Sequence, residues 1–183
     1  DVIGHANYLD DEAVDMLEAK RDQIFVCPAI AWEITLLDRG SELGLPRDAM
    51  EQRGYQKEVD ETISAVKRLR DSKVRVLVGG DYGLNITPHG TNSKDLEYFV
   101  DLFGMSTSEA LLCATRDGGA AADTSGMVGT LEEGKYADLV IVDGNPLEDI
   151  RILQDHSRIV GVMKDGVMHC ALMQKNPYIA PDE

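Results

Sequence analysis

Residues 74–81 read VRVLVGGD. A short apolar run heavy in β-branched residues predicts a fully buried strand. Two glycines stop it, and Asp81 follows at its C-terminal end. In a parallel α/β fold that end is where ligands and metals bind. Asp81 is therefore a carboxylate placed to ligate a metal or to act as a general base. Closing a turn or capping the next segment is an equally open use of it. Two further residues lie close by in sequence: Tyr82 directly beside Asp81, and His89 in a Pro-His-Gly loop. That histidine either faces a ligand or holds its loop. A third candidate, His5, ends the strand-like opening DVIGH. Taken alone, a histidine at a strand end is most often an ordinary surface or core residue.

Other patterns speak against competing chemistry. The four histidines include no HxH pair, and the three cysteines (FVCPA, LLCAT, MHCAL) form no CxxC. Neither a zinc finger nor a disulfide framework is indicated, and the cysteines read as buried, reduced thiols. No Lys-Ser/Thr follows the glycines of VGGDYG, so they are not a phosphate cradle. The acidic run at residues 10–12 reads as a helix start, and His156 and His169 as structural.

These side chains need elements to hold them. Residues 1–5 end a strand. Residues 10–20 predict a helix with Ala13, Met16, Leu17 and Lys20 on one face, acidic at its start and basic at its end. Residues 24–27 form a second strand, stopped by Pro28. Residues 29–39 are a loop or a short helix carrying Trp32, and residues 40–46 are breakers. Residues 47–72 predict one long amphipathic helix, with Val59, Ile63, Val66 and Leu69 at helical spacing. After the strand at 74–78 and the loop at 79–90 come helices over 93–103, with Gly104 as C-cap, and over 106–116. The latter starts with a Ser106/Glu109 capping box. A short helix at 118–124 follows.

From residue 126 the character changes to turns and strands at 137–142, 159–163 and 167–170. The last two are joined by the hairpin signal Asp165-Gly166. The tail from residue 174 is polar. The order is βαβ-rich and then all-β, which fits part of a parallel barrel followed by a separate antiparallel unit.

Composition limits the partners. With 33 acidic and 18 basic residues the formal net charge is −15, which argues against nucleic acid or an anionic membrane as partner. It suits a cytoplasmic enzyme surface. Aromatic residues make up 5% and hydrophobic ones 43%, so the core is aliphatic. No apolar run is long enough to span a membrane, and no signal peptide is visible. The chain opens at Asp1 directly in a strand-like segment, which reads as the middle of a longer protein.

Together the motifs resemble the metal-dependent amidohydrolases, in their imidazolonepropionase and prolidase-like branch. GHANYLDDEAVDML is similar to the segment around the sixth barrel strand of that family, and VRVLVGGDYG to the eighth, which ends in an aspartate. FVDLFGMSTSEALLCAT resembles the paired helices that follow. GTLEEGKYADLVIVDGNPLEDI and VMKDGVMH resemble strands of the family's C-terminal β-sandwich. GGDYG followed by TPHGTNSKDLEYFV points toward prolidase-like dipeptidases and N-acyl amino acid hydrolases.

The resemblance implies an α/β fold. Residues 1–125 would be the C-terminal part of a (β/α)8 TIM-type barrel, 126–172 strands of a small β-sandwich, and 173–183 a tail. It implies His5 and Asp81 as metal ligands, with Asp81 also taking a proton from the attacking water. His89, Tyr82 and Trp32 would stand at the substrate. It further implies Zn2+, as one or two divalent ions, and a homo-oligomer. The family's HxH pair, its bridging lysine or glutamate and its fifth-strand histidine have no counterpart here. The remaining ligands are therefore expected upstream, in an N-terminal half supplied in cis or in trans. The expected reaction of the complete protein is hydrolysis of an amide in a small molecule or dipeptide, either an Xaa-Pro dipeptide or an N-acyl amino acid. A cyclic amide or an arylamide is the alternative substrate. This chain by itself is expected to be inactive, or to be a non-catalytic fragment needing a partner.

Overall fold

The computed structural model describes residues 1–171; the expected tail lies outside them. Three strands, β1 (Val2–Gly4), β2 (Phe25–Cys27) and β3 (Arg75–Val76), form one parallel sheet in the order β1-β2-β3. Register pairs Gly4 with Cys27 and Val26 with Val76, so the C-terminal ends of all three strands come out on one edge. The expected strand at 74–78 is shorter in its ladder. It continues only as far as the Leu77 N–H, which donates to the Val26 carbonyl at 2.8 Å. The glycines then turn the chain away.

Helices connect the strands. Helix α1 (Asp11–Ala19) is capped by the Asp10 side chain, which accepts from the Ala13 N–H, and carries Asp11 and Glu12 in its first turn. Its buried residues are Val14 and Leu17, whereas Met16 is 62% exposed. The expected face is thus rotated toward Val14, and no basic residue lies in the last turn. Residues 30–39 settle as helix α2 (Ile30–Arg39). The long helix expected over 47–72 is two helices, α3 (Arg47–Gln52) and α4 (Tyr55–Asp71). The break falls at Gly54, whose φ of 90° is left-handed backbone that glycine adopts without steric cost.

Helix α5 (Lys94–Asp101) follows the loop, and Gly104 turns left-handed after it. Helix α6 (Thr107–Leu112) has the expected capping box. The Ser106 N–H donates to Glu109 Oε2 at 2.7 Å, and the Glu109 N–H donates to Ser106 Oγ at 3.2 Å. The helices expected at 106–116 and 118–124 run together. A wider π-type turn at Cys113–Asp117 leads directly into α7 (Gly118–Ala122).

Two apolar clusters hold these layers. The larger joins Ile30, Leu36, Met50, Val66 and Val76 to Phe99 and Phe103, whose rings lie 5.1 Å apart. The smaller packs Val14 and Leu17 against Ile24, Val26, Leu69 and Val74. Strands β4 (Leu139–Val142), β5 (Ile159–Lys164) and β6 (Val167–Ala171) form a three-stranded antiparallel sheet. Asp165 and Gly166, both at positive φ, make the expected hairpin turn. Short 3-10 turns at Ile150–Gln154 and His156–Arg158 were not legible in the sequence; the first buries Ile150 in the larger cluster. Cys113 is buried and Cys27 partly so, both as free thiols; the Cys170 side chain lies outside what is described. Among the described residues no helix is long and apolar enough to cross a membrane.

Helix α7 meets the segment before β4 backbone to backbone. A Cβ on Gly119 would lie 2.5 Å from the Gly129 Cα and 2.8 Å from its nitrogen. Gly119→Ala is expected to destabilise the fold by about 1–3 kcal/mol, measured by chemical denaturation. Wild-type stability would contradict this contact.

Candidate functional site

Parallel register puts the candidate residues at one edge. His5 follows β1 directly, and its N–H donates to the Cys27 carbonyl at 2.7 Å, extending the ladder by one bond. Asp81 follows β3 after the turn at Gly79 and Gly80. The Cys27 thiol donates to the Gly79 carbonyl at 3.1 Å, and a Cβ on Gly79 would stand 2.7 Å from that sulfur. Only a glycine lets the turn lie this close to β2. As a result, His5 Nε2 and Asp81 Oδ2 come within 3.7 Å of each other across the end of the middle strand. Both side chains are about half exposed (51% and 52%), so they face an open mouth.

This pair fits two ligands of one ion. Imidazole nitrogen and carboxylate oxygen each bind zinc at about 2.0–2.2 Å, and two such ligands in tetrahedral geometry stand about 3.4 Å apart. Among the described residues no group of three or more His, Cys, Asp or Glu side chains is spaced to hold a metal. A catalytic zinc usually takes three protein ligands, so this pair is a partial set.

The other candidates are distributed unevenly. His89 is exposed, and its Nε2 lies 3.0 Å from where a Cβ on Gly83 would be. Its ring therefore rests on the backbone two residues past Asp81. Tyr82 places its ring against Gly80, with a ring carbon 2.8 Å from the Cβ position there. Its hydroxyl is buried without a hydrogen-bond partner, and burial, then the nearby Asp95 charge, raises its pKa. The hydroxyl of Tyr82, expected to stand at the substrate, is therefore buried in this structure. Trp32, in the first turn of α2, is half-buried and packs on the larger core cluster.

Two buried acids behind the mouth escaped the sequence reading. Asp95, in the first turn of α5, is fully buried. Burial pushes its carboxyl up to about 7, against the Tyr82 hydroxyl and the backbone N–H groups of Gly79 and Ala31, which pull it down. None of these donors reaches either oxygen in full hydrogen-bond geometry, so burial prevails. Glu33, in the first turn of α2, is 2% exposed, and burial likewise pushes it up to about 7. The signal for both was helical spacing. Asp95, Phe99 and Phe103 recur every four residues, and Glu33 falls between Ile30 and Leu37 on the buried stripe of α2.

The chain belongs to the amidohydrolase family, whose model matches residues 2–168. It is 27% identical to the ochratoxinase of Aspergillus niger over 97% of this chain and 34% of that protein. The fold resembles a Bifidobacterium longum protein assigned as a prolidase, with a TM-score of 0.79 and 26% identity over 92% of this chain and 41% of that one. It also resembles an Xaa-Pro dipeptidase crystallised with methionine in its active site, with a TM-score of 0.76 and 25% identity over 92% and 39% of the two chains. This chain therefore spans about a third of the curated relatives it matches and about two fifths of these structures.

The buried acids set a pH dependence. A carboxyl raised from its ordinary value of 3.8 to about 7 keeps, in the folded state, a proton that the unfolded chain releases. Its contribution to stability is complete below about pH 4 and is lost as pH rises through about 7. Glu33 acts with the same sign. Asp95→Asn, a permanently neutral mimic, is expected to flatten the fall in thermal stability between pH 4 and pH 8. An unchanged pH profile would rule out Asp95 as its source.

Proposed function

From this family membership, we propose that the complete protein hydrolyses an amide bond of an Xaa-Pro-type dipeptide or an N-acyl amino acid with a metal-activated water. Residues 1–125 supply the C-terminal part of a (β/α)8 barrel and 126–172 supply strands of a β-sandwich. The observation that carries this reading is the 3.7 Å approach of His5 Nε2 to Asp81 Oδ2 at the C-terminal edge of a parallel sheet. In barrel enzymes that edge holds the chemistry.

One or two divalent ions, Zn2+ by donor type, would be held here by His5 and Asp81 together with ligands from outside the described residues. When bound, such an ion lowers the pKa of its water to about 7 and polarises the scissile carbonyl. The chain's own residues do the rest. His5 offers a ring nitrogen from a backbone tied to β2. Asp81 would accept the water's proton on its carboxylate and return it to the leaving amine. His89, beside Gly83, borders the space a substrate would enter.

A related reading, that the chain works only with the rest of a barrel, is favoured by the surface. All three residues of β1 are exposed, with Val2 at 53% and Ile3 at 36%, while Val26 on the neighbouring strand is fully buried. Exposed apolar residues also mark the antiparallel sheet, among them Val140 and Val167. Apolar strand surface of this kind calls for a covering partner, and the N-terminal half of the barrel, in cis or in trans, is the natural one.

In the complete protein, Asp81→Asn is expected to lower kcat/KM for Xaa-Pro dipeptides or N-acyl amino acids by about 100-fold or more with circular dichroism unchanged. Cyclic amides and arylamides in the same panel test the alternative substrates. Full activity of the variant would remove Asp81 from the mechanism.

A further inference from the structure

The turn that carries His5 is sterically unfavourable. His5 (φ 64°), Ala6 (φ 57°) and Tyr8 (φ 57°) all lie in the left-handed region that L side chains avoid. Such a run persists only where its surroundings over-determine it. Asn7, within this run, supplies the restraint. Its Nδ2 donates to Glu33 Oε1 at 2.8 Å and to Glu58 Oε1 at 2.6 Å. Its Oδ1 accepts from the Thr62 hydroxyl at 2.8 Å, and that hydroxyl also lies 3.3 Å from Glu33 Oε2. Both amide hydrogens and the carbonyl are thus used, and no other side chain type offers this set of donors and acceptor except glutamine, which is longer. The network clips the turn after β1 to α2 through Glu33 and to α4 through Glu58 and Thr62.

Glu33 and Thr62 are buried, at 2% and 0% exposure, whereas the His5 side chain is about half exposed. A packed apolar pair would join α2 and α4 without setting two carboxylates against one amide, which brings like charges together at the cost of burying one of them. Burial and the Glu58 charge raise the Glu33 carboxyl, consistent with that tension. The network therefore does something that packing does not. It fixes the direction of the backbone two residues from His5.

We propose that Asn7 and Glu33, supported by Thr62, are positioning residues that hold the left-handed turn at His5–Tyr8 and so aim the His5 imidazole toward Asp81. This deepens the reading of His5 as a metal ligand and rests on it. Groups behind metal ligands typically change metal affinity by about 10–100-fold when removed.

The test uses the complete protein and two readouts: amide hydrogen exchange at residues 5–9 against that of α4, and the His5 ring proton resonance during titration of the metal-free protein with Zn2+. Asn7→Leu and Glu33→Met should speed exchange at 5–9 by about tenfold or more, with α4 unchanged, and weaken the zinc response at His5 by about tenfold. Glu33→Gln, which keeps an acceptor for Asn7, should restore both. Thr62→Val removes only a hydroxyl and carries the exchange test if a larger change prevents folding. Wild-type exchange at 5–9 in folded Asn7→Leu or Thr62→Val, or a Glu33→Gln as impaired as Glu33→Met, would overturn the proposal. If His5 in the wild-type chain does not respond to zinc while His5→Ala also changes nothing, the ligand reading fails. The exchange data then still decide whether the network holds the turn.

Discussion

The in-register parallel pairing of β1, β2 and β3 is the constraint on which the rest depends. Pairing Gly4 with Cys27, and Val26 with Val76, brings the chain out of all three strands on the same edge. His5 and Asp81, 76 positions apart in sequence, meet there because one follows the first strand and the other the third. The middle strand serves both sides. Its Cys27 carbonyl accepts from His5 and its thiol donates to Gly79. A one-residue slip in either pairing would exchange the two faces of a strand and separate the pair.

Behind that edge the structure keeps two acids where an aliphatic core would be more economical. Asp95 lies beneath the turn that leads to Asp81, and Glu33 lies beneath the turn that carries His5. Burial pushes both carboxyls up to about 7; the Asp95 oxygens lack a hydrogen-bond partner, whereas Glu33 accepts from Asn7 and Thr62. Buried polar groups that are costly in stability gather where geometry matters more than stability. The arrangement braces the turns from which the half-exposed His5 and Asp81 project.

Much of this was legible in the residues. VRVLVGGD announced a buried strand with a carboxylate at its end. The acidic helix start at residues 10–12, the Ser106/Glu109 box and the Asp165-Gly166 hairpin are local patterns that tertiary contacts had no reason to override. The errors came where the deciding partner is distant or the cue is a single residue. Gly54 broke a helix whose apolar spacing ran on past it. The exposed Met16 shows that the face of α1 is chosen by the β2–α4 surface on which Val14 and Leu17 pack. Beyond such errors, the burial of the Tyr82 hydroxyl near Asp95 of a later helix is a feature that no pattern in GGDYG reveals. The Asn7 network joins residues 26 to 55 positions apart, beyond the reach of any local motif.

On the proposed function, His5 and Asp81 bind one ion together. Diffraction from crystals of the complete protein containing Zn2+, collected at the zinc absorption edge, tests it most directly. An anomalous peak is expected within about 2.2 Å of both His5 Nε2 and an Asp81 carboxylate oxygen. An ordered zinc in the barrel mouth that touches neither side chain would contradict it.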